Sequence, residues 1–121
     1  MDAFDATRSF AALAQETRLA VFRLLVRVGY SGMAAGDIAR ALSVPQNTMS
    51  SHLATMVGAG LLESRREGRS VVYGVDLKGT QSLITFLLED CCQGQPAVCS
   101  SLVKDLLPEC VGTAVRRPAG S

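Results

Sequence analysis

Four cysteines follow residue 90 of the 121-residue chain: Cys91, Cys92, Cys99 and Cys110. The first three fall within nine residues, and no histidine stands among them. Soft thiolates without imidazole suit a soft, thiophilic ion. Trivalent arsenic or antimony takes three sulfurs in a pyramid, with its lone pair in the fourth direction. Zinc favours four ligands in a tetrahedron, often supplied by Cys-x-x-Cys units, and that spacing is absent here. Cys110 follows Pro108-Glu109 and has two readings: a spare tail cysteine, or a fourth thiolate for cadmium, lead or zinc. Two further readings of Cys91, Cys92 and Cys99 stay open. Cysteines are commonly buried as small apolar residues, and they can also serve as a thiol-redox or persulfide switch. A thiol enzyme is disfavoured. It would need a base or a helix N-terminus to lower the thiol pKa, whereas these cysteines close the expected last helix. The dipole there works against a thiolate.

A second constellation is polar and basic. Gln46, Asn47, Thr48, Ser50, Ser51 and Thr55 lie between residues 45 and 58, opposite an apolar stripe of Met49, Leu53, Met56 and Val57. Small polar side chains on one helix face can approach base edges and phosphates closely. Gln46 and Asn47 would stand at the helix N-terminus, where backbone N–H groups favour phosphate. His52 is the one histidine of the chain. It contacts a base or phosphate in one reading, and in the other it borders the buried stripe and hydrogen-bonds locally. Arg65, Arg66 and Arg69 form a dense basic cluster within five residues. A solvated hairpin with arginines for solubility is the other reading of this cluster.

These residues need elements to hold them. Helices are expected over 7–14, with Phe10, Leu13 and Ala14 on one side, and over 15–28, with Leu19, Phe22, Leu25 and Val26 at helical spacing. Gly29 and Gly32 end the second. A short helix from Ala35 to Leu42 is broken by Ser43-Val44-Pro45, and Pro45 suits the first turn of the next helix, which runs to about residue 58. Leu61–Arg66 and Ser70–Val75 read as strands joined by a tight turn at Glu67-Gly68-Arg69. A long helix over 77–92 carries a seam of Leu77, Ile84, Leu88 and Cys91. Adjacent thiols on an intact helix diverge by about 100°. Gly94 eases unwinding there, and the step from Cys92 to Cys99 can fold back. Leu102–Leu107 reads as a helical turn or two, and 111–121 as a loose tail.

Two short helices followed by a hairpin make a winged helix-turn-helix, mainly α with a small β-hairpin. Composition agrees. The chain is 48% hydrophobic with mean hydropathy +0.24, enough for one core. Net charge is +1, which excludes a basic coat but not a clustered DNA-binding face. Aromatics make up 5% with no tryptophan, against a base-stacking single-strand binder. The longest apolar stretch, Leu19–Val28, is interrupted by Arg23 and Arg27 and falls short of a membrane span. With an acidic start unlike a signal peptide, the chain is expected in the cytoplasm, where metal binding or redox sensing suits its cysteines better than a permanent disulfide.

The run Asp37-Ile38-Ala39-Arg40-Ala41-Leu42, then Met49-Ser50-Ser51-His52-Leu53, Ala59-Gly60-Leu61-Leu62 and Arg65-Arg66-Glu67-Gly68-Arg69, resembles the ArsR/SmtB family of metal- and metalloid-sensing repressors. Leu13-Ala14 and Thr17-Arg18-Leu19 resemble its opening helices. The likeness covers about residues 7–92. It implies a homodimer paired through the first and last helices, each protomer reading half of an inverted repeat in double-stranded operator DNA. It implies no enzyme activity, no organic cofactor and no membrane partner. The effector varies among members. One known site uses Cys-x-Cys before the recognition helix, and Ala34–Ala39 holds no cysteine. Another uses Asp, His and Glu along the dimer helix, and 76–90 holds Asp76, Glu89 and Asp90 without histidine. A Cys-Cys pair with a nearby third Cys at the end of that helix is similar to an arsenite-sensing subgroup. The corresponding ligands of As(III), or Sb(III), are Cys91, Cys92 and Cys99. The implied organisation is a DNA-binding and dimerisation domain over 1–92 and a cysteine-containing loop and tail over 93–121.

Overall fold

The computed structural model describes residues 2–88. Contacts divide the chain into two compact units, Met1–Phe86 and Leu87–Ser121. The expected boundary at 92/93, the turn at 102–107 and the tail lie outside the described residues. The elements are α1 (Ala3–Leu13), α2 (Glu16–Val28), a 3-10 turn (Gly29–Ser31), β1 (Met33–Ala34), α3 (Ala35–Ala41), α4 (Gln46–Gly58), β2 (Leu62–Glu67), β3 (Ser70–Val75) and α5 (Leu77–Leu88). The three strands form one antiparallel sheet in the order β1-β3-β2. The expected winged helix-turn-helix is therefore present, and its β-hairpin is widened to three strands by β1, whose two residues are too few to show a period.

α1 begins four residues earlier than the sequence pattern suggests. Asp2 caps it, its Oδ1 accepting from the Asp5 N–H at 2.8 Å. Its buried face is Ala6, Ser9 and Ala12, not Phe10, which is exposed. Small residues let α1 lie close against its neighbours, and their low hydrophobicity hides the stripe from a reading by apolar size. On α2 the inward residues are Val21 and Leu25, with Phe22 packed beside them. Leu19 and Val26, expected on the buried side, face solvent.

The core gathers Val21 and Leu25 from α2, Ile38 from α3, Met49, Leu53 and Met56 from α4, Leu61 and Leu62 at the entry to β2, and Leu83 from α5. Each large side chain so buried contributes roughly 1.5–3 kcal/mol. On α5 the expected seam residues Leu77 and Ile84 are exposed, while Leu83 and Phe86 turn toward the core. Glu67 and Ser70 pair across the hairpin end, leaving Gly68-Arg69 as a two-residue loop. Gly68 has φ +63°, the left-handed geometry that a two-residue turn of type II′ requires at its first central position.

Candidate nucleic-acid interface

The turn between α3 and α4 sets the angle at which α4 is presented. The Val44 N–H donates to Ala39 O at 3.0 Å and the Ser43 N–H to Arg40 O at 3.3 Å. This is the paired bonding of a Schellman cap, with Ser43 in the left-handed region at φ 55°. Pro45 follows, and its carbonyl accepts from the Met49 N–H at 2.9 Å to open α4. No side chain of Pro45 can cap the first turn. Asn47 Oδ1 takes the Thr48 N–H at 2.9 Å, while the amides of Gln46 and Asn47 lack an intrahelical acceptor. α4 closes on a second Schellman cap: Gly60 N–H to Val57 O at 3.1 Å and Leu61 N–H to Met56 O at 3.0 Å.

Met49, Leu53 and Met56 of α4 are fully buried. Gln46, Asn47, Thr48, Ser50, Ser51 and Thr55, all expected to touch DNA, are exposed on it. Val57, expected in the buried stripe, is exposed. His52 is half-buried, and its Nδ1 stands 3.2 Å from an Arg18 guanidinium nitrogen.

The three wing arginines have different surroundings. Arg65 reaches back to the 3-10 turn, donating to Ser31 O at 2.6 Å and Tyr30 O at 3.4 Å. Its Nε also pairs with Glu67 at 2.5 Å. Arg66 and Arg69 are exposed, and no hydrogen bond or ion pair engages them among the described residues. They are free cations at a hairpin tip, the kind of group that neutralises phosphate. Asp37 and Arg40 of α3 pair with each other at the surface, an arrangement of small energetic value.

Sequence reasoning did not foresee how α1 and α2 grip α4. Ser9 Oγ donates to Ala59 O at 2.8 Å and an Arg8 guanidinium nitrogen to Gly58 O at 3.1 Å. Arg18 spans from Ala12 O, at 2.6 Å from its Nε, to His52. The partners that reach across to α4 and its end lie 34 to 50 residues apart, and no local pattern announces such pairs.

Cys91, Cys92, Cys99 and Cys110 lie outside the described residues. Among the described residues no cluster of three or more His, Cys, Asp or Glu side chains could hold a metal ion. No described helix is long and apolar enough to cross a membrane.

A short helix, a tight turn, a second helix with a solvent-facing polar surface, and a hairpin with free arginines define a winged helix-turn-helix DNA-binding protein. A helix-turn-helix domain model matches residues 13–65. Solved structures agree. A homodimeric winged helix-turn-helix DNA-binding domain from Mycobacterium bovis, described as a possible ArsR-family transcriptional regulator, is 26% identical with TM-score 0.58, over 75% of this chain and 82% of that one. HlyU from Vibrio cholerae is 26% identical with TM-score 0.59, over 77% of this chain and 100% of that one. A possible transcriptional regulator for arsenical resistance is 26% identical with TM-score 0.57, over 65% of this chain and 79% of that one. No curated protein matches the chain significantly. The matched domain and these solved neighbours are those of ArsR-family winged helix-turn-helix regulators, a family of DNA-binding transcription regulators and not of enzymes.

Proposed function

We propose that the protein is a dimeric repressor that holds an inverted-repeat operator and releases it on capturing trivalent arsenic or antimony through Cys91, Cys92 and Cys99. The observation that carries DNA reading is the division of α4. Its Met49-Leu53-Met56 face is locked in the core, and its opposite face is small, polar and exposed beside the free Arg66 and Arg69. Asn47, Thr48, Ser50, Ser51 and Thr55 face base edges and phosphates, with Gln46 at the phosphate-binding end of the helix. Arg66 and Arg69 contribute phosphate contacts, and Arg65 positions the wing through its bonds to the 3-10 turn.

Dimerisation is supported by apolar side chains left in solvent: Phe4 and Phe10 on α1, and Leu77 and Ile84 on α5. A single small domain with few cations binds DNA weakly, and a second copy doubles the phosphate contacts. The homodimeric relative from Mycobacterium bovis has the same architecture.

The effector reading rests on donor chemistry. Cys91, Cys92 and Cys99 supply three thiolates without a histidine, a set that fits a soft pyramidal ion. The arsenical-resistance name of one relative points the same way. Capture by the thiols that follow α5 would change how two protomers meet. Release of DNA needs a coupling of only about 1–3 kcal/mol. Binding-site selection from a randomised duplex pool, followed by footprinting, tests the DNA reading. An inverted repeat with half-site centres about 34–36 Å apart is expected. Enrichment of a single unrepeated site by a monomer would contradict it.

A further inference from the structure

We propose that Arg18 and His52 are positioning residues for the reading helix: Arg18 ties the end of α1 to the middle of α4, and His52 serves DNA binding through its Nδ1 rather than by touching DNA. This rests on the operator-binding reading above and names how α4 is held for it. The Arg18 side chain makes two bonds from one rigid fork. Nε donates to Ala12 O at 2.6 Å, and another guanidinium nitrogen stands 3.2 Å from His52 Nδ1. Its own backbone N–H donates to Gln15 Oε1 at 2.8 Å, which fixes the start of α2 beneath it.

A guanidinium only donates, so Nδ1 is the unprotonated ring nitrogen and the ring proton sits on Nε2. His52 is half-buried at the edge of the fully buried Met49-Leu53-Met56 stripe of α4. Holding its ring therefore fixes the rotation of α4 about its own axis, and with it the aim of Asn47, Ser51 and Thr55. Ser9 and Arg8 secure the far end of α4 at Ala59 O and Gly58 O. α1 is thus bonded to α4 at its end directly and at its middle through Arg18, so a displacement of α1 is passed to the reading helix.

The elements packed against α4 are α1, α2, α3 and β2. Their charged groups are accounted for. Arg8 is held at Gly58 O, Asp37 pairs with Arg40, and Arg65 pairs with Glu67. Asp5, Glu16, Arg23, Arg27, Glu63 and Arg66 make no ion pair with the ring, which leaves Arg18 as its charged partner among the described residues. A histidine that positions the helix depends on Arg18, whereas a histidine touching phosphate would bind DNA without it.

The experiment measures affinity of the full chain for a duplex selected by the wild-type protein. His52→Asn keeps an acceptor near the place of Nδ1, and His52→Gln carries its amide out toward the place of Nε2. His52→Asn should bind like wild type. His52→Gln and Arg18→Lys should bind about tenfold more weakly, the worth of one hydrogen bond to a charged group, since an ammonium cannot reproduce the two-point fork. Thermal unfolding of each variant checks that it is folded, and the remaining variants decide the matter should one unfold. Arg18→Lys or His52→Gln binding as wild type does, or His52→Asn binding as weakly as His52→Gln, would overturn the inference while leaving the operator-binding reading intact. A wild-type chain that enriches no duplex at low salt overturns both.

Discussion

Ser43 occupies a left-handed backbone position, φ 55°, that a side chain with a Cβ enters at a cost of about 1–2 kcal/mol. The cap it completes is retained because both of its hydrogen bonds set the α3–α4 turn. Ser43→Gly should stabilise the domain by about 0.5–1 kcal/mol once the greater freedom of glycine in the unfolded chain is subtracted. Thermal unfolding would then rise by a few degrees, and DNA affinity should be unchanged. Gly79 is the opposite case. A Cβ there would stand 1.9 Å from Gly60 O, a backbone atom at the end of α4. Gly79→Ala should therefore destabilise by about 2 kcal/mol or more, read as a lower denaturation midpoint. At the wing, Arg66→Ala and Arg69→Ala should each weaken binding to all duplexes alike and lower the salt slope by about one unit. Asn47→Ala or Ser51→Ala should instead alter sequence preference, and the two effects exchanged would mean the roles are reversed. Residue types on α4 and the wing were legible in the sequence, because exposure there follows from helical period and turn chemistry. Their partners were not. Arg65 looks like Arg66 in the sequence, and only a carbonyl 34 residues away separates a wing anchor from a free cation.

Elements were legible in proportion to how strongly apolar period marks them. β3 and the body of α2, α3 and α4 stand where the alternation and spacing place them. α1 was underread because Ala6, Ser9 and Ala12 bury it without large side chains, and β1 because two residues gain their strand conformation from pairing with Tyr73 and Val72. The α5 seam shows the limit of period alone. Leu77 and Ile84 repeat correctly for a buried face, yet Leu83 and Phe86 take the core and leave the first two in solvent. A helix with two apolar faces has one to spare. Ile84→Glu should accordingly shift the sedimentation profile toward monomer and weaken operator binding, with the folded domain preserved since this side chain is 50% exposed. A variant that stays dimeric at micromolar concentration would place the interface elsewhere.

At the scale of the whole molecule, the described unit supplies reading and grip, and the cysteines of the remaining segment supply the proposed signal. The DNA-binding half of the candidate site was legible because it is a local motif: two helices, a turn and a hairpin within residues 35–75. The effector half is legible as composition alone, three thiols in nine residues, since convergence of side chains is a property of folding back and not of spacing. Serine at Cys91, Cys92 or Cys99 should leave DNA binding intact and blunt the response, while serine at Cys110 should change little. The most direct measurement of the central claim is the fluorescence anisotropy of a selected operator duplex bound to the reduced protein, followed during titration with arsenite. Release is expected as the thiols fill, with operator affinity falling by a factor of about 5–150, and no release for Cys99→Ser. Operator binding untouched by arsenite, or released by peroxide or persulfide instead, would contradict a three-thiolate site and make the cysteines a redox switch.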